Sequence, residues 1–171
     1  MADALLTQEG RSILRLQRSF PYRVETVWGA LVNPQRLAQW YPAGVEMEAW
    51  LGGAIALDYG HGTKTAGIIT AIDGPQLFGF TEQVVCAKGA PVRDGELGET
   101  RIELHPEIGG TLMVFRQAFS DRSQAATYAA GWQVCFDALD QLLAGQPVAH
   151  APVAAEMITE YRKLFALDGA Q

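Results

Sequence analysis

The chain has 171 residues and a formal net charge of −6, with 49 % hydrophobic and 19 % charged residues. That length suits one domain of roughly 100–200 residues, and the apolar content is too high for a disordered chain. Lys and Arg are scattered through an acidic sequence. No basic surface is therefore expected to displace phosphate counterions, and nucleic acid is not an expected partner.

The N-terminus MADALLTQEG has no basic segment leading into an apolar run, so no signal peptide is expected. No uninterrupted apolar stretch approaches the ~18 residues of a membrane span. The two cysteines, Cys86 and Cys135, form no CxxC pair and are expected as free thiols of a cytoplasmic protein.

In chain order, residues 12–20 alternate Leu14 and Leu16 with Arg15 and Gln17, predicting a half-buried strand ended by Pro21. Val24, Val27, Trp28 and Leu31 recur at helical spacing. Asn33-Pro34 breaks this helix, because a residue before proline is pushed out of the α region. Pro34 can open a second short helix through Leu37 and Trp40. From Val45 to Gln83 the pattern predicts strands over 45–51, 53–60, 64–73 and 76–83. They are punctuated by Gly52-Gly53, Gly60-His61-Gly62 and Asp73-Gly74-Pro75. Such tight turns require antiparallel neighbours. Residues 84–98 predict a long loop, followed by strands over 99–107 and 111–119.

Ser120-Asp121, with Gln124 as capping-box partner, predicts the start of a long helix. Its apolar face carries Ala125, Tyr128, Ala129, Trp132, Phe136, Leu139 and Leu143, and Gly145 and Pro147 stop it. About 24 residues at ~1.5 Å each give ~36 Å, enough to cross an antiparallel sheet. A linker over 146–152 then leads to a short helix with Val153, Met157, Tyr161, Leu164 and Phe165 on one side. This divides the chain into a domain over 12–145 and an extension over 146–171.

The order strand, two short helices, antiparallel strands and one long helix predicts an α+β sheet curling around a helix. Particular residues sharpen this. They are Val27-Trp28-x-Ala30-Leu31, Asn33-Pro34-x-x-Leu37-x-x-Trp40, Gly52-Gly53, Gly67-x-Ile69, Pro75-x-Leu77, Thr100-Arg101-Ile102-Glu103-Leu104, Gly109-Gly110-Thr111, Gly131-Trp132 and Leu139-x-x-Leu142-Leu143. In that order and spacing they resemble the Hsp90-ATPase-activator homology family of the Bet v 1-like (START/SRPBCC) superfamily, over residues 12–145. The chain carries Tyr128 where the family often has a histidine, three residues before the Gly-Trp pair, and its tail is longer. The resemblance implies a helix-grip fold with a cavity between the curved sheet and the long helix. The superfamily includes lipid and hormone carriers, cyclases and co-chaperone domains, so function must be argued from the site.

Alternation suggests which side chains face that cavity. Ile55, Leu57 and Tyr59 share one strand face, and Phe78, Phe80 and Glu82 share another; Met113 and Phe115 come from the last strand, and Tyr128, Trp132 and Phe136 from the helix. These residues either line a ligand cavity or simply fill a core, since burying one such ring already stabilises by roughly 1.5–3 kcal/mol. A buried Glu82 needs a cation, a hydrogen-bonding ligand or a raised pKa, with Arg116 as a candidate partner; otherwise it sits in water at a strand end. His61, in a glycine turn, is either a solvated turn residue or a donor at a cavity mouth. His61, His105 and His150 show no metal-ligand spacing, and no P-loop, dinucleotide or nucleophile-elbow motif is present. No metal or cofactor is therefore expected.

The leading reading is a small-molecule binding protein with an apolar or amphipathic ligand. The alternatives are a cyclase- or hydratase-like enzyme using the same cavity, and a co-chaperone-like interaction domain. The tail helix either packs on its own domain or supports a homodimer.

Overall fold

The computed structural model describes residues 3–41, 44–60, 62–86 and 98–167. His61 and most of the expected 84–98 loop lie outside them. The alternation in residues 11–20 yields a ten-residue strand, but the sheet begins earlier. Strand β1 (Ala4–Gln8) pairs antiparallel with β2 (Arg11–Phe20) through Glu9 and Gly10, both at positive φ (50° and 79°). Two such residues make a hairpin turn that follows the strand twist. Glu-Gly is a weaker turn signal than Asn-Gly, and β1 is only five residues long, so sequence periodicity did not expose it.

Helices α1 (Val24–Val32) and α2 (Pro34–Trp40) meet at Asn33, as the proline predicts. The Asn33 side chain accepts from the Arg36 amide at 3.0 Å and caps α2. The buried Trp40 indole donates to the Ala30 carbonyl at 2.9 Å, which locks the corner. Strands β3 (Gly44–Met47), β4 (Ala54–Asp58), β5 (Lys64–Asp73), β6 (Leu77–Cys86), β7 (Gly98–Glu107) and β8 (Gly110–Phe119) follow. All neighbours are antiparallel, in the order β1-β2-β8-β7-β6-β5-β4-β3. β8 therefore returns beside β2, a non-local pairing that closes the sheet's middle.

The first turn after Asp121 winds as a 3-10 helix (Arg122–Gln124), and the Asp121 carboxylate accepts from the Ser123 amide at 3.0 Å. Helix α3 (Ala125–Leu143) is thus 19 residues, about 28 Å, shorter than expected because its predicted N-terminal turn is tighter than α. It lays Ala125, Ala129, Trp132, Phe136 and Leu139 on the concave face of the sheet, in one apolar core with α1 and α2. This is the helix-grip arrangement.

Helix α4 (Ala155–Leu164) packs against α3, with Tyr161 and Phe165 buried. The Tyr161 hydroxyl donates to Asp3 at 3.1 Å, and Asp3 also accepts from the Gln17 amide at 3.0 Å. Two residues expected in the same stripe, Val153 and Leu164, are exposed instead. Val153 precedes the first helical turn. Leu164 lies three residues after Tyr161 yet rotates off its side, while Phe165, four residues on, stays over it. Among the described residues, no helix is long and apolar enough to cross a membrane.

Candidate functional site

Register fixes which side chains share the concave face. Phe78 pairs with Ile102 and Phe80 with Thr100, while Thr100, Ile102 and Leu104 pair with Gln117, Phe115 and Met113 of β8. Paired residues lie on one face of a sheet. Phe78, Phe80, Met113, Phe115 and Leu57 are buried there, with Trp132 and Phe136 above them from α3. The rings contact one another: Phe115 lies 4.3 Å from Trp132 and 5.5 Å from Phe136, centroid to centroid. Tyr128 is 38 % exposed at the rim and meets Phe119 edge-on at 5.1 Å.

Polar groups interrupt this face at one end. Tyr59 follows β4 on the same side as Ile55 and Leu57, and its hydroxyl donates to Glu82 Oε2 at 2.7 Å. The Thr65 hydroxyl reaches the same oxygen at 3.2 Å. Tyr41, directly after α2, brings its hydroxyl to 2.5 Å from that of Tyr59. The Tyr41 ring stacks on Trp132 at 4.9 Å and 9°. The Trp132 indole donates to Gln117 Oε1 at 2.9 Å. Hydrogen bonds and stacked rings therefore run without a break from β6 through β4, α2 and α3 to β8.

Burial raises the Glu82 pKa above its usual carboxylate value, opposed by the hydrogen bonds from Tyr59 and Thr65. Burial, then the charge of Glu82, pushes both Tyr59 and Tyr41 above the ordinary phenol value. Burial pushes the Cys135 thiol, beneath the same network, up to about 12. The phenols therefore keep their protons at neutral pH. With Glu82 ionised, one proton per hydroxyl orders the chain Tyr41 to Tyr59 to Glu82; when Glu82 is protonated the order can reverse. The arrangement is a short hydrogen-bonded chain ending in a titratable carboxyl.

Folding favours the protonated form of Glu82. The stability this contributes is fully present below the unfolded value, near 4.5, and is lost as pH rises through the raised folded pKa. Glu82→Gln keeps an acceptor for Tyr59 and Thr65 but cannot ionise. It is expected to raise the melting temperature over wild type near pH 8 and to leave it unchanged near pH 4. Equal shifts at both pH values, measured by thermal denaturation, would show that Glu82 titrates normally.

Arg116 is not the partner of Glu82. It directly follows Phe115, so strand alternation turns it to the convex face, where its guanidinium donates to Glu103 at 2.9 Å. His105 lies on that face too, 3.5 Å from Glu103. His61 falls outside the described residues. Sequence reasoning missed Tyr41, Thr65, Thr100 and Gln117. The last three carry a signal, since each is a polar residue at an inward parity of its strand; Tyr41 shows only an aromatic before Pro42. Among the described residues, no group of His, Cys, Asp and Glu converges as a metal site.

The model of the family described as activator of Hsp90 ATPase homolog 1-like protein matches residues 21–144. Among solved structures, CalU16 from Micromonospora echinospora superposes with a TM-score of 0.69 at 19 % identity, covering 97 % of this chain and 94 % of that one. DynU16, a protein in the dynemicin biosynthetic locus, gives 0.67 at 22 % identity over 79 % of this chain, which spans only 48 % of that protein. CV1439 from Chromobacterium violaceum gives 0.63 at 24 % identity, covering 77 % of this chain and 96 % of that one. No curated protein matches the sequence. At these identities the structures speak to the fold alone, and the match over residues 21–144 supplies the family: the chain belongs to the activator of Hsp90 ATPase homolog 1-like family.

Proposed function

We propose that this protein binds an apolar or amphipathic small molecule between the sheet and α3, with the Tyr41–Tyr59–Glu82 chain as the polar end of the site. The observation that carries the reading is that chain itself. A core built only for stability gains little from a partly buried carboxyl whose pKa is raised at a cost. Hydroxyl donors beside a titratable group on an apolar face are what a binding site uses to orient a ligand. Leu57, Phe78, Phe80, Met113, Phe115, Trp132 and Phe136 would supply the apolar surround, and Tyr128 its rim. The likeness to a protein encoded in a biosynthetic locus agrees with a small organic ligand.

Native mass spectrometry of the purified protein, followed by denaturing extraction, tests this. The expected result is a bound apolar mass, or uptake of added Nile red, that is lost on Trp132→Ala. A bare chain mass together with no probe uptake would remove the reading. The same spectrum separates monomer from homodimer.

One observation favours a second reading, a cyclase-like enzyme. Glu82 with its raised pKa, hydrogen-bonded to Tyr59, has the parts of a general acid–base pair beside donors for a developing oxyanion. In this reading Glu82→Gln abolishes turnover while leaving ligand uptake intact; in the binding reading there is no turnover to lose.

A further inference from the structure

One row deeper than Glu82, the floor of the concave face holds a polar atom that no described residue satisfies. The Thr100 hydroxyl has no hydrogen-bond partner among the described residues, and Thr100 is 1 % exposed. An unpartnered hydroxyl in such a place costs about 1–3 kcal/mol, so native structures rarely keep one without a use. Its cross-strand neighbours are Phe80 on β6 and Gln117 on β8. The Gln117 amide is oriented by chemistry. The Trp132 indole can only donate, so it holds the amide oxygen and leaves the NH2 group turned away from the indole. Thr100 thus offers one donor and Gln117 offers two, on adjacent strands whose paired Cβ atoms lie about 5 Å apart.

The next row outward carries no side chain on β7. Gly98 stands opposite Glu82, and among the described residues a Cβ placed there would meet only Glu82, at 3.4 Å (backbone oxygen) and 3.5 Å (Cγ). Phe80, Ile102 and Gln117 flank Thr100, with Glu82 beyond Gly98. Among these described neighbours none is positively charged, so a carboxylate or phosphate would find an acid and no counter-charge among them. A neutral acceptor faces neither obstacle.

We propose that Thr100 and Gln117 form a hydrogen-bonding station for a neutral oxygen, a carbonyl or hydroxyl, carried on an aromatic ligand. The station rests on the binding reading above and specifies its ligand class: an uncharged, oxygenated ring compound such as a ketone or phenol, packed beside Trp132 and Phe80.

Thr100→Val preserves shape and strand preference while deleting the hydroxyl. In the ligand-free protein it is expected to raise Tm by roughly 2–4 °C, because an unsatisfied group is removed. Binding of acetylnaphthalene and of isopropenylnaphthalene, in which a methylene replaces the carbonyl oxygen, is then compared by tryptophan fluorescence. Wild type is expected to prefer the ketone about five- to tenfold, one hydrogen bond's worth. Thr100→Val should lose that preference while keeping its affinity for the hydrocarbon, and Thr100→Ser should retain the preference. Equal wild-type affinities for both probes would overturn the station and leave the binding reading standing. A lowered Tm in Thr100→Val would show that the hydroxyl is already partnered and would also overturn it. Failure of either probe to bind, with no bound mass in the native spectrum, would remove both.

Discussion

Trp132→Ala is expected to lower the unfolding free energy by about 3–5 kcal/mol. The side chain is 7 % exposed and sits where the three layers of contact meet. Tyr41 stacks on it from the end of α2, Phe115 touches it from β8, and Phe136 lies one turn along α3 at 5.9 Å. Alanine would leave a cavity facing three rings, each held by its own backbone element, so the site collapses only partly. It would also strip Gln117 of its donor. Trp132→Phe separates these contributions in part, since it keeps a six-membered aromatic ring but loses the five-membered part of the indole with its N–H; it is expected to cost about 1–3 kcal/mol. Guanidinium unfolding with an unchanged slope reads both. A loss below about 1 kcal/mol in Trp132→Ala would mean that Trp132 is not the wedge joining α2 and α3 to the sheet.

That wedge illustrates what was legible before the structure. The helical period placed Trp132 and Phe136 on the buried side of α3, and strand alternation placed Phe78, Phe80, Met113 and Phe115 opposite them, because both periodicities are fixed by backbone geometry. The same rule, applied to Arg116, already separates it from Glu82, since neighbours in a strand face opposite ways; its charge suggested a partnership that parity forbids. Meetings between strands were not legible. Tyr59, Thr65 and Glu82 come from β4, β5 and β6, and their convergence depends on two register shifts in β5, at Lys64/Thr65 and Ile69/Ala71. Nothing local in the sequence announces those shifts. Tyr41 reaches the same cluster only because α2 ends over α3, a tertiary arrangement. β1 was missed for another reason: five residues of mixed polarity carry too little periodic signal.

The glycines of the family motif were legible as markers but not as parts, and two of them are expected to respond to alanine in opposite directions. Gly67 lies in β5 between the two register shifts. A Cβ there would fall 1.7 Å from the Thr81 carbonyl oxygen and 2.5 Å from its carbon. The obstacle is backbone within a paired strand, and the Ile68 amide already donates to the Thr81 hydroxyl at 3.2 Å, so relief requires β5 and β6 to separate. Gly67→Ala is expected to cost about 3 kcal/mol or more and to loosen the neighbouring Thr65–Glu82 contact with it. Gly131 stands inside α3, where an added Cβ meets nothing within 4 Å. Gly131→Ala adds no clash and reduces the freedom of the unfolded chain, so a gain of about 0.5–1 kcal/mol is expected. Both are read from denaturant midpoints. If Gly67→Ala were neutral, the β5–β6 approach would be loose enough to admit a side chain, and the bend that brings Thr65 to Glu82 would not depend on it. If both substitutions destabilised alike, the helical glycine would have a role of its own that the open space around it does not show.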